Sequence, residues 1–355
     1  MVDTYKVKVG DTLYGISRKT GIPVDSIVKY NNLEKGGILS IDTELRLSPS
    51  RDVKMDGEVL DSDIERQKYI TEKENPIHTV KSGENLSKIA EKYNVNISVL
   101  MQINQLNKTS VLRLNQKIKI PPTKIVRNVN NLSDVAKAMG VSQDFIRNLK
   151  SIEDGNKPDG KPYGDNEFHN TPYVDNTGHK TIGIGHVVQK GEKEQLTNRE
   201  VLETFTKDLL KMEDNIQVLL GSKQKYNNLP QPIKEALLDM VFNKGTAIIS
   251  DKMIKALRDG DYEAAINEMT NNKSYGGTEM SGLSKRRLFD ISTACKIYDG
   301  NIPKSNLKTA QKVYNRGVEL LRGECASQRI FLNVLVGYNK DVQKYFGDKI
   351  QLITE

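Results

Sequence analysis

Two stretches of the chain share one hydrophobic rhythm. Residues 5–33, YKVKVGDTLYGISRKTGIPVDSIVKYNNL, align without gaps with residues 78–106, HTVKSGENLSKIAEKYNVNISVLMQINQL. Each opens with a short alternating strand and a Gly-Asp or Gly-Glu turn, the period of two that a half-buried strand requires. A helix follows, with Leu13 and Ile16 on its apolar face in one copy and Leu86, Ile89 and Ala90 in the other. A second short helix carries Ile27 and Val28, or Val99 and Leu100, and ends at Asn31 or Asn104. Alternating strands, TELRLSP at 43–49 and QKIKIPP at 116–122, close the units. Strand, helix, helix, strand is a complete small unit with one buried face.

The helical half of this rhythm returns once more, in VNNLSDVAKAMGVSQDFIRNLK at 129–150, with Leu132, Val135, Ala136, Val141, Phe145 and Ile146 as its apolar positions. No convincing strands flank it, so it reads as a degenerate third copy. Its second helix continues directly into SIEDG at 151–155, which couples the repeats to the C-terminal half of the chain. Residues 50–76 are rich in charge and poor in core residues, and read as a linker. Beyond the repeats the period is helical. LTNREVLETFTKDL at 196–209 opens with a capping box of Thr197 and Glu200. NLKTAQKVYNRGVELLRG at 306–323 has helical spacing, and RIFLNVLVGY at 329–338 is an unusually apolar run. Such a tail is expected to pack on its own domain, with a docking surface as the alternative.

Composition narrows the class. At 355 residues the chain is expected to form more than one domain. Its two cysteines exclude a disulfide scaffold and form no metal-ligand cluster, so neither metal nor cofactor is expected. The start lacks the order of a signal peptide and no apolar run approaches membrane-spanning length, so a reduced, intracellular place of synthesis without membrane insertion is expected. The net charge of +7 is concentrated. Residues 77–150 hold twelve Lys and Arg against four acids, a local +8. That surface suits an anionic partner such as a bacterial wall. The absence of Trp and the few aromatics there argue against a nucleic-acid partner.

The two full repeats resemble LysM domains, which bind the N-acetylglucosamine chains of peptidoglycan and chitin. An assembly adaptor with the same fold is the other reading of these modules. The oddest stretch is DNTGHKTIGIGH at 175–186, a tight ribbon with an acid at its head and a hydroxyl and a histidine further on. Twenty-two residues earlier, at the end of an apolar-faced helix, stands Glu153. Glycoside hydrolysis needs two carboxyl groups facing the scissile bond, one protonated and one ionised. Glycines let a hairpin twist and its backbone approach a sugar closely.

This constellation resembles the phage-type lysozymes, glycoside hydrolase family 24, across roughly residues 145–300. LLDMVFNKG at 237–245, GDYEAAINEM at 260–269 and GLSKRRLFD at 282–290 continue the likeness. The resemblance implies cleavage of the β-1,4 bond between N-acetylmuramic acid and N-acetylglucosamine, with inversion. It implies Glu153 as general acid, Asp175 as the base that orients water, and Thr181 as its helper. It places Val187, Phe242, Arg286 and Arg287 at the substrate cleft, and pairs His186 with Asp208 as a structural support. Family members read Asp-Glu where this chain has Glu153-Asp154, so Asp154 is a rival for the acid. Glu153 is preferred because Leu149 precedes it by four residues and a Glu reaches further. The polar insertion at 156–170 lengthens the stretch between the two carboxylates and is expected to decorate the cleft rim.

The expected architecture is α+β and multidomain: two small βααβ modules, then a mostly helical lysozyme-like domain with a small β-hairpin lobe. The boundaries are 1–49, a linker 50–76, 77–122, a helical pair 123–148, the catalytic domain 149–300 and an extension 301–355. The expected partner is peptidoglycan. Two roles stand open: an endolysin that reaches the wall after release, or a phage tail component that carries the activity in the virion and docks to other virion proteins through its tail or its LysM modules.

Overall fold

The computed structural model describes residues 4–8, 11–20, 24, 27–28, 31, 33, 39–47, 65–154, 163–175, 178–271, 273 and 277–354. The chain divides into two compact units, one of Met55–Val218 and one of Met1–Lys54 with Leu219–Glu355. In the first repeat, β1 (Thr4–Lys6) pairs antiparallel with β2 (Glu44–Arg46), and α1 (Leu13–Thr20) covers them. Val7, Ile16, Ile27 and Leu45 are the inward positions of strand, helix, helix and strand, and they make the core. Asn31 fastens the second helix to the closing strand. Its amide donates to the Ile27 and Arg46 carbonyls at 2.7 and 3.0 Å, and its oxygen accepts from the Arg46 N–H at 2.7 Å.

Residues 65–69 are helical and lead into β3 (Ile70–Lys73), with Tyr69 and Ile70 buried. The second repeat then forms from β4 (His78–Thr79), α2 (Leu86–Tyr93), α3 (Ile97–Ile103) and β5 (Lys117–Ile118). Its core is Val80, Leu86, Ile89, Ala90, Leu100, Ile118 and Ile120. Asn104 repeats the role of Asn31 on Leu100 and Lys119, all three bonds at 2.8 Å. Another pair is swapped between the copies. Tyr5 donates its hydroxyl to Asp11 at 2.8 Å; His78 takes that place and meets Glu84 at 2.7 Å. Through its other ring nitrogen His78 also meets the Tyr93 hydroxyl at 3.1 Å, so it joins the strand to the turn and to the first helix of this repeat.

The third repeat corrects the sequence reading. It does have strands, because β6 (Thr123–Val126) pairs antiparallel with β3, Ile70 opposite Val126. The partner strand comes from the end of the stretch read as a linker, and the whole second repeat lies between the two strands in sequence. A search for a strand after the helices therefore finds none. The remainder, 50–64, lies outside the described residues. α4 (Leu132–Met139) and α5 (Gln143–Asp154) follow, and the cap of α4 copies α2: Asn131 accepts from the Asp134 N–H as Asn85 does from Lys88. At the place of Asn104 the third copy has Lys150, and the helix runs on to Asp154 instead of being tied to a closing strand.

A three-stranded antiparallel sheet follows: β7 (His169–Val174), β8 (Lys180–Gly183) and β9 (His186–Val187). The expected hairpin has gained a third strand. α6 (Asn198–Leu220) begins with the predicted capping box. The Thr197 N–H donates to Glu200 at 2.9 Å, and the Glu200 N–H to the Thr197 hydroxyl at 3.2 Å. Gly183 has φ +64°, and a Cβ there would stand 3.0 Å from Val201 on this helix. Glycine at 183 thus lets β8 lie close against α6. The second and third repeats are fastened to the same helix by Lys124–Asp214 at 2.6 Å, by Arg66–Glu213, and by Asn96 donating to the Lys211 carbonyl at 3.2 Å.

In the other unit, α7 (Lys223–Asn227), α8 (Gln231–Lys244), α9 (Asp251–Arg258), α10 (Tyr262–Asn267) and α11 (Ser281–Cys295) form the helical part. The tail folds as α12 (Lys304–Glu324) and α13 (Gln328–Phe346) and packs back on α11. A Cβ on Gly317 would collide with the Tyr338 hydroxyl and with Ser284, so glycine permits this three-helix approach. The apolar run 329–338 is split by the helix: Phe331, Leu335 and Tyr338 are buried, and Ile330, Val334 and Val336 are exposed. Among the described residues no helix is long and apolar enough to cross a membrane.

Candidate active site

α5 ends with the two rival acids, and its geometry separates them. Asp154 is only 7% exposed, and its Oδ2 receives the Lys150 ammonium, one helical turn earlier, at 2.5 Å. Burial pushes the Asp154 carboxyl above its ordinary range, although Lys150 pulls it down. Glu153, the next residue round the helix, is half-buried.

Asp175 stands at the turn between β7 and β8. Its N–H donates to the His179 carbonyl at 2.9 Å, and its Oδ1 accepts from the His179 N–H at 2.9 Å. The Gly178 N–H donates to the Asp175 carbonyl at 3.0 Å, and Gly178 has φ +85°, a left-handed turn position suited to glycine. The other carboxylate oxygen, Oδ2, accepts from the Thr181 hydroxyl at 3.3 Å. Thr181 is 3% exposed and lies opposite Tyr173 on one side and Val187 on the other. Tyr173 reports on the gathering of these acids. Burial first, and then the charges of Asp154, Glu153 and Asp175, push its phenol up to about 12. One ring therefore lies within electrostatic reach of both catalytic candidates.

His186 is held on both nitrogens, Nδ1 by Asp208 at 2.8 Å and Nε2 by Glu192 at 3.0 Å. The Asp208 hydrogen bond, followed by Glu192, raises its pKa to about 9 in spite of burial. The pairing with Asp208 was expected from sequence; Glu192 was not. The folded value lies above the ordinary 6.5, so the protonated imidazolium contributes stability in full below about pH 6.5. That contribution, about 2–3 kcal/mol, is lost as pH rises through about 9. A denaturant series from pH 6 to 10 should show this decline, and His186→Asn should flatten it and lower stability at pH 6. Turnover well below the melting point should be largely retained. An unchanged stability with lost activity would make His186 a catalytic residue.

The arginines are a correction. Arg287 is 0% exposed and Arg286 is buried beside it. Arg286 grips Asp239 with two bonds of 2.9 and 3.1 Å, while Arg287 meets Asp290 at 3.0 Å and Asp239 at 3.9 Å. Burial opposes the Asp239 charge, yet Arg286 and Arg287 hold its carboxyl below the usual range. Burial, with Asp239 beside it, pushes the Asp290 carboxyl well above that range. The resemblance placed them at the substrate cleft, but both side chains turn into the helical core, where α8 supplies the acid. Phe242 lies half-buried on α8, and Val187 is 40% exposed on β9. Lys150, His169 and Tyr173 were missed by sequence reasoning; Lys150 carried a signal, as a lysine at an asparagine position of the repeat.

Residues 166–289 match the phage lysozyme family profile, and residues 5–48 and 78–121 each match that of the LysM domain. The chain carries a phage lysozyme domain behind two LysM domains. The probable peptidoglycan endopeptidase LytE of Bacillus subtilis (strain 168) is 36% identical over 120 residues, 34% of this chain and 33% of that protein. The chain thus spans about a third of the length of this curated relative. Among solved structures, the P1 phage endolysin Lyz is similar at 16% identity and a TM-score of 0.37, covering 47% of this chain and 95% of that one. A P22 lysozyme mutant is similar at 24% identity and a TM-score of 0.32, over 42% and 94%. The lysozyme domain begins within the insertion and ends on α11, so Asp175, Thr181, His186 and Asp208 fall inside it and Glu153 lies just ahead. Its family is one of glycoside hydrolases.

Proposed function

We propose that the protein is a peptidoglycan hydrolase, an N-acetylmuramidase held on the cell wall by its LysM domains. Glu153 protonates the oxygen of the β-1,4 bond between N-acetylmuramic acid and N-acetylglucosamine. Asp175 orients and deprotonates the attacking water, and Thr181 steadies that carboxylate by the hydrogen bond to Oδ2. The observation that carries this reading is the gathering of Glu153 and Asp175 about Tyr173, with Asp175 held on one oxygen by its own turn and on the other by Thr181. Asp154 is a poorer acid for the task because its carboxylate is engaged by Lys150. Inversion requires room for a water between Asp175 and the bond, a carboxyl separation of roughly 6.5–9.5 Å. NMR of the first-formed reducing end from a wall digest tests the mechanism: the α-anomer is expected, and a retained β-anomer contradicts it.

The LysM domains bind glycan without cutting it, and the local +8 of residues 77–150 adds attraction to an anionic wall. The full chain carrying Glu153→Gln should sediment with purified peptidoglycan, and less of it as salt rises. Failure to sediment at low salt would favour the adaptor reading. Of the two biological roles, an endolysin is preferred over a virion component, because the tail buries Phe331, Leu335 and Phe346 on its own chain. Detection of the protein in purified particles would reverse that preference.

A further inference from the structure

The end of α5 carries more than the proposed acid. Lys150 is 2% exposed, and its ammonium bonds Asp154 at 2.5 Å and the Gly164 carbonyl at 3.0 Å. It also lies over the rings of Phe168 and Tyr163, at 5.1 and 5.9 Å from their centroids. One turn earlier on the same helix, Arg147 bonds Asp165 at 2.8 Å. Residues 163–168 are therefore drawn onto α5 from Arg147 to Asp154. From there an aromatic ladder crosses to the sheet: Tyr163 packs on His169 at 4.5 Å, and His169 on Tyr173 at 4.4 Å. Tyr173 pairs across the strands with Thr181, the partner of Asp175.

We infer that Lys150 is a positioning residue: through Asp154, Gly164 and the Tyr163–His169–Tyr173 ladder it clasps the helix of Glu153 to the strand of Asp175 and so sets the separation of the two carboxyl groups. This rests on the assignment of Glu153 and Asp175 proposed above. It gives the described part of the insertion, read from sequence as rim decoration, a mechanical role. It also explains the exchange of asparagine for lysine in the third repeat. Asn31 and Asn104 tie their helices back to a closing strand; Lys150 ties its helix forward to the catalytic sheet. Misplacement of reacting groups by about an ångström is enough to cost roughly 100-fold in rate. The clasp therefore acts on turnover more than on substrate affinity.

The test is kinetic. In Lys150→Met/Asp154→Leu both charges leave together, so no unpaired ion stays buried, and such replacements often leave stability unchanged. Tyr163→Leu cuts the clasp at the half-buried end of the ladder and serves if the double variant fails to fold. With soluble glycan oligomers as substrate, each folded variant should melt near the wild type, lose tenfold or more in kcat and keep KM within about threefold. Lys150→Arg, which retains the charge, should recover part of the loss. A folded variant with kcat within twofold of the wild type, or a loss confined to KM, overturns the clasp. Glu153→Gln is run in the same assay: wild-type turnover by that variant means that the acid itself was misassigned, and the clasp falls with it.

Discussion

Glu153→Gln is expected to fold, to bind walls and to clear them about 10²–10⁴-fold more slowly than the wild type, the usual worth of a general acid. The substitution keeps the shape of the side chain and removes only the proton it would deliver to the leaving oxygen. The comparison that gives the result its meaning is Asp154→Asn. That carboxylate already receives the Lys150 ammonium in a buried pair. Its neutral isostere can still accept from Lys150, so the loss should stay below about tenfold, the part that acts through positioning. Turbidity clearing and melting of both variants, side by side, decide the matter. The reverse order, with clearing lost in Asp154→Asn and kept in Glu153→Gln, would move the acid one residue along the helix.

Arg287→Met should produce the largest loss of stability. Removing this guanidinium leaves Asp290 without its 3.0 Å partner and Asp239 with Arg286 alone, all within the helical core. Breaking a buried pair on one side costs about 3–5 kcal/mol, because no water enters the core to replace the lost partner of the acids left behind. In a domain of this size that lowers the melting temperature by on the order of 10 °C. Calorimetry of the full chain, with wall binding measured on the same preparation, checks it. Unchanged melting with weakened binding would return Arg287 to the substrate cleft, where its sequence context had suggested it.

The contrast between Arg287 and His186 shows where sequence reasoning reaches. His186 and Asp208 are joined by motifs of fixed spacing, a glycine ribbon followed by a capped helix, so their meeting could be read along the chain; the structure has them at 2.8 Å. Glu192 lies in the polar turn between them and left no periodic signal. Arg286 and Arg287 sit on a helix whose amphipathic pattern is weak. Which way a cation turns on such a helix depends on whether a neighbouring element offers buried acids, and Asp239 comes from α8, forty-seven residues away.

The sequence by itself determined the local units. The repeats, their caps, the capping box at Thr197 and the turn at Gly178 follow from short-range rules of periodicity, hydrogen-bonding side chains and allowed φ, which act within a few residues. It also placed Glu153 on a helix end and Asp175 on a turn, because those motifs are contiguous. What only the tertiary structure decided was pairing at a distance. β3 joins β6 across a complete intervening repeat, residues 163–168 are drawn onto α5 by Lys150, and two arginines are consumed in a buried network. Each depends on which surfaces must be buried together and which charges lose their water when they are. No local pattern carries that information, because the cost of desolvation is set by the packed neighbours and not by the residues adjacent in the chain.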